Sequence, residues 1–216
     1  MEFTEILSSY LSGLKISLLL TFCSLLFGLF GGLVAALASL STSRWVSWPA
    51  IALVELGRGA PGLVLLYLVY FSLPQAGLTL EAIPSAIIAL SIMTAAYTSE
   101  IFVADFRAVS QGQWEACESL GMKYLATLRL VIIPQAVSVV IPPLIGWSVL
   151  LFHATSLAFA ISVPELINRA YDYATLTYEY GTAFVMAGAM YLSVSLIAVA
   201  LFRQSLRLRR RAVTQT

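Results

Sequence analysis

The sequence predicts an all-α integral membrane protein with about five transmembrane helices. Of its 216 residues, 60% are hydrophobic and only 11% are charged, whereas soluble domains carry about a quarter charged residues. The mean hydropathy is +0.90. The apolar residues fall into five blocks, each long enough to cross a bilayer as a helix of roughly 20 residues. These observations favour a single membrane domain over a soluble fold.

The five apolar blocks give the predicted spans in chain order: residues 14–40, 48–74, 83–106, 136–161 and 182–202. Together they form a transmembrane domain at 14–203. Residues 1–13 precede it, and their mildly acidic start lacks the basic region of a cleaved signal peptide. A basic tail at 204–216 follows it.

The first two blocks carry residues with a packing or functional meaning. Gly28 and Gly32 form a GxxxG pair, which predicts close packing against another helix. In the second block, Glu55 and Arg58 are three apart, so they share a helical face and can pair. Pro61 lies in a glycine-rich stretch that predicts a break in the helix. Ionisable groups at membrane depth indicate function, although this pair could equally anchor the span at the interface.

The third and fourth blocks also contain ionisable residues. Glu100 and Asp105 lie near the end of the third block and are expected to face the bundle or the interface rather than lipid. The fourth block contains the single histidine, His153. Residues 163–181 form a polar connector in which Pro164 and Glu165 predict the start of a short helix.

The longest weakly apolar interval between the blocks is the coupling segment, defined here as residues 110–134. It predicts a short helix, a turn at Gly121 and a second helix that leads into the fourth block. Ser110 and Gln113 have the spacing of a capping box. A helical segment fixed between two spans in this way favours docking of another protein, although an ordinary amphipathic connector is the alternative.

The coupling segment resembles the EAA loop of ABC importer permeases. Glu115, Ala116, Gly121 and Pro134 match that motif in type and spacing, with Cys117 as a conservative departure. The resemblance implies that the segment docks into a separate ATP-hydrolysing subunit. The residues it implies for this contact are Gln113, Trp114, Glu115, Ala116, Glu118, Leu120 and Gly121.

Two further stretches resemble the polar amino acid branch of the same family. Residues 55–61 resemble its E-x-x-R-G-T-P motif, and residues 152–157 resemble its L-K-[DN]-T-S-L segment, with Ala154 in place of the acid or amide. The resemblance implies a substrate path that contains Glu55, Arg58, Gly59, Pro61, His153, Thr155 and Ser156. Arg58 could then pair with a substrate carboxylate, provided that Glu55 does not hold it.

Positive charge predicts the orientation of the chain. With the C-terminus in the cytoplasm, nine cations lie inside: Arg44, Arg107, Lys123, Arg129, Arg203, Arg207, Arg209, Arg210 and Arg211. Lys15 and Arg169 lie outside, and Arg58 is left uncounted within a span. The excess predicts an external N-terminus, a periplasmic segment at 1–13 and a cytoplasmic coupling segment. The terminal arginines are therefore interpreted as a topology signal rather than as a nucleic-acid site.

The sequence predicts no catalytic residue, metal site or bound cofactor in this chain. Cys23 and Cys117 show neither a disulfide nor a metal pattern. A GxxxxGK[ST] loop is missing as well, so ATP and Mg are expected on the partner ATPase. The family resemblance implies two ATPase subunits, a second permease, a periplasmic solute-binding protein and surrounding lipid. Because Ala154 lacks the usual acid, a heterodimer of permeases is favoured over a homodimer.

The predicted function is that of a permease subunit in a type I ABC importer of the bacterial inner membrane. It would move a polar amino acid or a related compound, such as an opine, by alternating access. Two alternatives stay open at this point. One is an intramembrane hydrolase that uses His153 with Ser156, which share a helical face. The other is a membrane assembly protein that transports nothing.

Overall fold

The described part of the chain, residues 3–108 and 110–213 of a computed structural model, is helical and contains no strand. Its α-helices are α1 (Phe3–Ser39), α2 (Arg44–Gly59), α3 (Gly62–Tyr67), α4 (Ala82–Ala108), α5 (Gln111–Ser119), α6 (Tyr124–Thr127), α7 (Ile133–Ala154), α8 (Leu166–Thr177) and α9 (Tyr180–Val213). Turns of π-helix (Leu68–Ser72 and Leu128–Ile132) and 3₁₀-helix (Leu73–Ala76 and Thr155–Ile161) extend α3, α6 and α7.

Four stretches of these helices are long and apolar enough to cross a membrane: Thr4–Ser39, Ala82–Phe106, Val139–Ile161 and Tyr180–Gln204. The first begins well before the predicted boundary at residue 14. The residues of the supposed N-terminal segment from Phe3 onward are therefore the first turns of α1. The serines and Glu5 in these turns lower the hydropathy, so the apolar block begins later in the sequence than the helix does. Helix formation depends on the backbone, whereas hydropathy depends on the side chains.

A fifth apolar element is bent. Helix α2 and the α3 assembly together pass the same test of length and composition, but they meet at an angle of 105°. The bend lies at Ala60 and Pro61, where the sequence predicted a break. Pro61 has no N–H to donate to the preceding turn, so the helix cannot continue through it.

Helices α1 and α4 run in the same direction. The backbone at Gly28 lies against Thr94, and the backbone at Gly32 lies against Thr98. Residue numbers rise together on both helices, so their N-terminal ends lie at the same end of the bundle. The chain must therefore cross back between them, and the only segment available is the bent α2–α3 pair.

The contacts of the bent pair agree with this return path. Gly57 of α2 lies against Ala96, whereas Gly62 of α3 lies against Met93. Numbers rise on one element and fall on the other, which makes the pair antiparallel to α4. Counting the pair as one crossing gives five crossings in the described residues, as the sequence predicted.

Helix α9 completes the arrangement. The Tyr10 hydroxyl donates to the Ala183 carbonyl at 3.1 Å. About two turns further along each helix, Ser17 and Tyr191 both contact the carboxylate of Glu165. Thus α9 runs parallel to α1 and α4, while α7 crosses back between α4 and α9. The coupling segment and the end of α9 therefore lie at the same end of the bundle.

The close packing predicted for the GxxxG pair is confirmed. A methyl group added at Gly28 or Gly32 would overlap the side chains of Thr94 or Thr98, so the two helix backbones touch where glycine leaves room. Small residues allow this approach, and the dispersion contacts that result hold helices together in a bilayer.

The connector at residues 163–181 is more structured than its polarity suggested. It forms α8, whose Leu166, Ala170 and Ala174 are buried at helical spacing. The predicted start is confirmed, because Glu165 caps α8 through hydrogen bonds from the backbone N–H groups of Ile167 and Asn168. Helix α8 thus packs across the end of the bundle opposite the coupling segment.

Candidate functional site

The coupling segment folds as the sequence predicted, as two helices separated by a glycine turn. Helix α5 ends at Ser119, and the Met122 N–H then donates to the Cys117 carbonyl at 3.0 Å. This closing turn needs a residue with positive φ, and Gly121 supplies it with φ of +70°. The turn sends the chain into α6 and on towards α7.

The predicted capping box is wrong. Ser110 is the N-cap of α5, but its side chain makes no capping hydrogen bond. The Gln113 side chain does not return to residue 110 either; its Oε1 accepts a hydrogen bond from Gln135 Nε2 at 3.2 Å. The long amide therefore links α5 to the start of α7, and this contact between elements replaces the local cap.

Most of the predicted coupling residues are exposed: Gln113, Glu115, Ala116, Glu118, Leu120 and Gly121. Trp114 is half-buried, with its ring stacked on Tyr124 at a centroid distance of 6.0 Å. Leu120 has 78% of its surface exposed, which is costly for a large apolar side chain in water. An exposed large apolar side chain on a turn between two helices is a feature of a surface that another protein can cover.

A second candidate site lies at the bend between α2 and α3. Arg58 Nη1 is 3.4 Å from Glu55 Oε1, so the predicted pair is confirmed. The same nitrogen is 3.5 Å from Glu100 Oε2 on α4, a partner that the sequence did not reveal. All three side chains are partly exposed, and two carboxylates share one guanidinium. The cluster therefore carries an excess negative charge.

Aromatic rings extend this cluster to a third helix. The guanidinium carbon of Arg58 lies 6.0 Å from the centre of the Tyr97 ring. Tyr97 in turn stacks on Trp147 of α7 at 4.2 Å. Aromatic faces attract cations within about 6 Å. Charged and aromatic groups from α2, α4 and α7 thus converge where the chain bends, next to the exposed Gly59 and Pro61.

The remaining residues predicted for the substrate path lie where α7 ends. Thr155 is buried and donates to the Phe152 carbonyl at 2.7 Å. Leu157, in the 3₁₀ turn that follows, lies against Gly62 at the start of α3. Of the two stretches that resemble the amino acid branch of the family, the second therefore packs against the residue that directly follows the first, although they are far apart in sequence.

The geometry around His153 does not favour the hydrolase alternative. Ser156 Oγ donates to the His153 backbone carbonyl at 2.7 Å, so the hydroxyl does not contact the ring. The ring Nε2 instead lies 2.9 Å from Ser195 Oγ on α9. Among the described residues, no carboxylate bonds the ring to orient it as a base would require. His153 is interpreted as a hydrogen-bonded packing residue.

A buried polar cluster around Glu165 was missed by the sequence analysis. Both carboxylate oxygens are used: Oε1 accepts from Asn168 N–H, and Oε2 accepts from Ile167 N–H and the Tyr191 hydroxyl at 2.9 Å. Ser17 Oγ lies 3.4 Å from Oε2. The cluster joins α1, α8 and α9. Burial raises the pKa of the Glu165 carboxyl, against the opposing effect of its donors.

Within the described residues, no group of three or more histidine, cysteine, aspartate or glutamate side chains is placed to hold a metal ion. The two candidate sites are the exposed surface of the coupling segment and the charged cluster at the bend.

Residues 28–211 match the family described as the binding-protein-dependent transport system inner membrane component. The probable amino-acid ABC transporter permease YckA of Bacillus subtilis is 36% identical over 188 residues, which cover 87% of this chain and 83% of the relative. The L-cystine transport system permease TcyB of the same organism is 41% identical over 160 residues, with 74% and 68% covered.

A solved structure agrees with these relatives. One chain in the crystal structure of an amino acid ABC transporter with histidines superimposes with a TM-score of 0.87 at 32% identity, covering 97% of this chain and 99% of that one. The family motifs therefore have their expected fold around them, and neither the hydrolase nor the assembly alternative is favoured. The chain belongs to the binding-protein-dependent transport system inner membrane components and is a multi-pass permease subunit of the type I ABC importer family.

Proposed function

We propose that this permease imports a polar amino acid or a related compound, such as an opine, and is driven by separate ATPase subunits through its coupling segment. The relatives named above are permeases for amino acids or for L-cystine. The observation that carries the proposal is the exposed α5 turn at the end of the bundle where α4 ends and α7 begins. A force on that turn acts directly on two spans.

The contacts indicate how such a force reaches the bend. Helix α5 follows α4 almost immediately and is tied to the start of α7 by the Gln113–Gln135 hydrogen bond. Helix α4 carries Glu100 and Tyr97, and α7 carries Trp147. When two ATPase subunits close on ATP, a displacement of α5 would therefore move the groups that surround Arg58. Rigid-body motion of this kind underlies alternating access.

The structure changes one expectation about the substrate. Arg58 was expected to pair with a substrate carboxylate only if Glu55 left it free, and both Glu55 and Glu100 approach it within 3.5 Å. We propose instead that the two carboxylates receive the substrate ammonium group. The neighbouring Tyr97 and Trp147 rings would favour the same cation.

The other partners follow from the same proposal. ATP and Mg²⁺ would bind the ATPase subunits, present in two copies, and a periplasmic solute-binding protein would deliver substrate. The excess of cations at the tail and coupling segment supports the proposal that this end faces the cytoplasm. We propose a heterodimer with a different permease, since the Ala154 side chain cannot bind substrate polar groups. Native mass spectrometry of the purified assembly should show one copy of this chain; two copies without another permease would contradict the heterodimer.

The coupling contact is tested by charge reversal. We expect Glu115→Lys to reduce co-purification of the ATPase by at least about tenfold, because a like-charge contact in an interface costs several kcal/mol and about 1.4 kcal/mol already lowers affinity tenfold. Glu115 is exposed, so the spans should fold normally. Co-purification would be measured by affinity capture of the tagged permease, followed by substrate-stimulated ATP hydrolysis in proteoliposomes.

Glu179→Lys is the matched control, since Glu179 is also exposed but lies between α8 and α9, at the opposite end of the bundle. It should capture the ATPase at wild-type levels. Equal capture by the Glu115 variant would show that the ATPase docks elsewhere.

A further inference from the structure

A buried carboxylate lines a cavity near the coupling segment. Asp105, on the last turns of α4, has only 5% of its surface exposed. It faces a cavity of about 320 Å³ between α1, α4 and α7, whose other walls are apolar. No hydrogen bond or ion pair joins its carboxylate to any residue that the structure describes. A carboxylate in such surroundings needs a partner, since burying an unpaired charge is strongly unfavourable.

The walls of the cavity restrict what that partner can be. Leu33, Phe102, Phe106 and Val137 offer no oxygen or nitrogen atom from their side chains. A hydrated metal cation requires several oxygen ligands, and here there is one carboxylate. A primary ammonium group satisfies the site better, because it carries a full charge with three donors and can be attached to an apolar body that fills the rest. The volume lies at the lower end of the range for ligand pockets, about 300–1,000 Å³.

The position of the cavity indicates the source of that ammonium group. Asp105 lies one residue before the end of the apolar stretch Ala82–Phe106, and Val137 lies just before the stretch Val139–Ile161. The cavity is therefore at the boundary of the hydrocarbon region, where lipid headgroups meet acyl chains. We propose that it binds the ammonium group of an aminophospholipid such as phosphatidylethanolamine, with an acyl chain along Phe102 and Val137.

This lipid would contact the end of α4 and the start of α7, the two helices that the coupling segment connects. Asp105 and Phe106 belong to the last turns of α4 before α5, and Ile133, which also lines the cavity, begins α7. An occupant that contacts both helices resists their separation. The lipid is thus placed to stiffen the connection through which the permease would be driven, although its binding does not depend on transport or on the substrate.

The test is lipid retention by the isolated permease subunit, measured by native mass spectrometry from nanodiscs. The nanodiscs hold phosphatidylglycerol with equal amounts of phosphatidylethanolamine and phosphatidylcholine, all with the same acyl chains. The headgroup of phosphatidylcholine carries a positive charge but no N–H group that could donate a hydrogen bond. The headgroup of phosphatidylglycerol carries no positive charge. We expect phosphatidylethanolamine to be retained about tenfold over the other two, as a hydrogen-bonded pair of about 1.4 kcal/mol would give.

Three variants make the result specific. Asp105→Asn should abolish the preference while keeping the shape of the side chain, and Ala136→Leu should reduce retention by filling the cavity while the carboxylate stays. Asp172→Asn, at an exposed acid on α8, should behave as wild type. Equal retention of the three lipids by the wild type, or an unchanged preference in Asp105→Asn, would overturn the proposal. Dodecylammonium would also be added to the same nanodiscs. If the wild type retained dodecylammonium but no phosphatidylethanolamine, the ammonium group bound by Asp105 would not come from a lipid.

Discussion

Replacing Glu165 with alanine is expected to lower the free energy of unfolding by about 3 kcal/mol. The substitution removes the N-cap of α8, which is worth roughly 1 kcal/mol, and leaves buried polar groups unpaired at roughly 1–3 kcal/mol. The cap consists of the hydrogen bonds from the Ile167 and Asn168 N–H groups, and the buried groups that lose their acceptor are the Tyr191 and Ser17 hydroxyls. Because the cluster joins three helices, α8 should separate from α1 and α9 before the rest unfolds.

Thermal unfolding in detergent, followed by tryptophan fluorescence, measures the loss. Glu179→Ala is the control, because Glu179 is exposed near the other end of α8, and its melting temperature should be unchanged. Hydrogen exchange should show faster exchange in α8 of the Glu165 variant. A melting temperature within error of wild type would mean that the cluster contributes nothing to stability.

The same cluster predicts a pH dependence. Burial raises the pKa of the Glu165 carboxyl above its ordinary value of 4.5, so the folded protein keeps this proton to a higher pH than the unfolded chain does. The stability that this group contributes is complete below the ordinary value and is lost as the pH rises through the raised pKa. Glu165→Gln cannot titrate. The wild type should therefore lose stability relative to Glu165→Gln as the pH rises. The melting temperature of the variant minus that of the wild type should become more positive.

Gly32→Leu is expected to destabilise the bundle by about 2–3 kcal/mol, at the upper end of the range for overpacking. The Cβ alone would overlap Thr98 Oγ1 and would lie 3.0 Å from the Ala95 carbonyl and 3.1 Å from the Ser99 nitrogen. Two of these three atoms belong to the backbone of α4 and cannot rotate away. The helices α1 and α4 must therefore move apart, and the contacts between them are lost.

Gly188→Leu provides a matched control, since nothing lies within 4 Å of an added Cβ at that position of α9. Both variants would be compared by melting temperature and by yield of monodisperse protein. We expect a loss only for Gly32→Leu. A similar melting temperature for the two variants would show that α1 and α4 can separate without consequence.

Much of the fold follows from local features of the sequence. The lengths of the apolar blocks predicted the spans, and the stretch around Pro61 predicted the bend. Both features depend on neighbouring residues and on general backbone rules. The coupling turn was predictable for the same reason, since Gly121 lies where the chain needs positive φ. The pairing of Glu55 with Arg58 required only their helical spacing.

The features that the sequence did not reveal join distant residues. Glu165 meets Ser17 and Tyr191, and no periodicity connects positions on three different helices. Glu100 was noted as a polar residue, but its contact with Arg58 depends on how the bent α2–α3 pair lies against α4. The capping box failed because Gln113 found a partner on α7. In each case the local sequence allowed more than one hydrogen-bond or ion-pair partner, and tertiary packing determined which one is used.

The parallel arrangement of α1 and α4 limits how this gene product can be engineered. Because α9 runs parallel to α1, the start of α1 at Phe3 and the end of α9 at Val213 lie at opposite ends of the bundle. A linker from the end of α9 in one copy to the start of α1 in a second copy would therefore have to cross the membrane if both copies are to have the same orientation. Such a fusion needs an additional membrane-crossing helix between the copies.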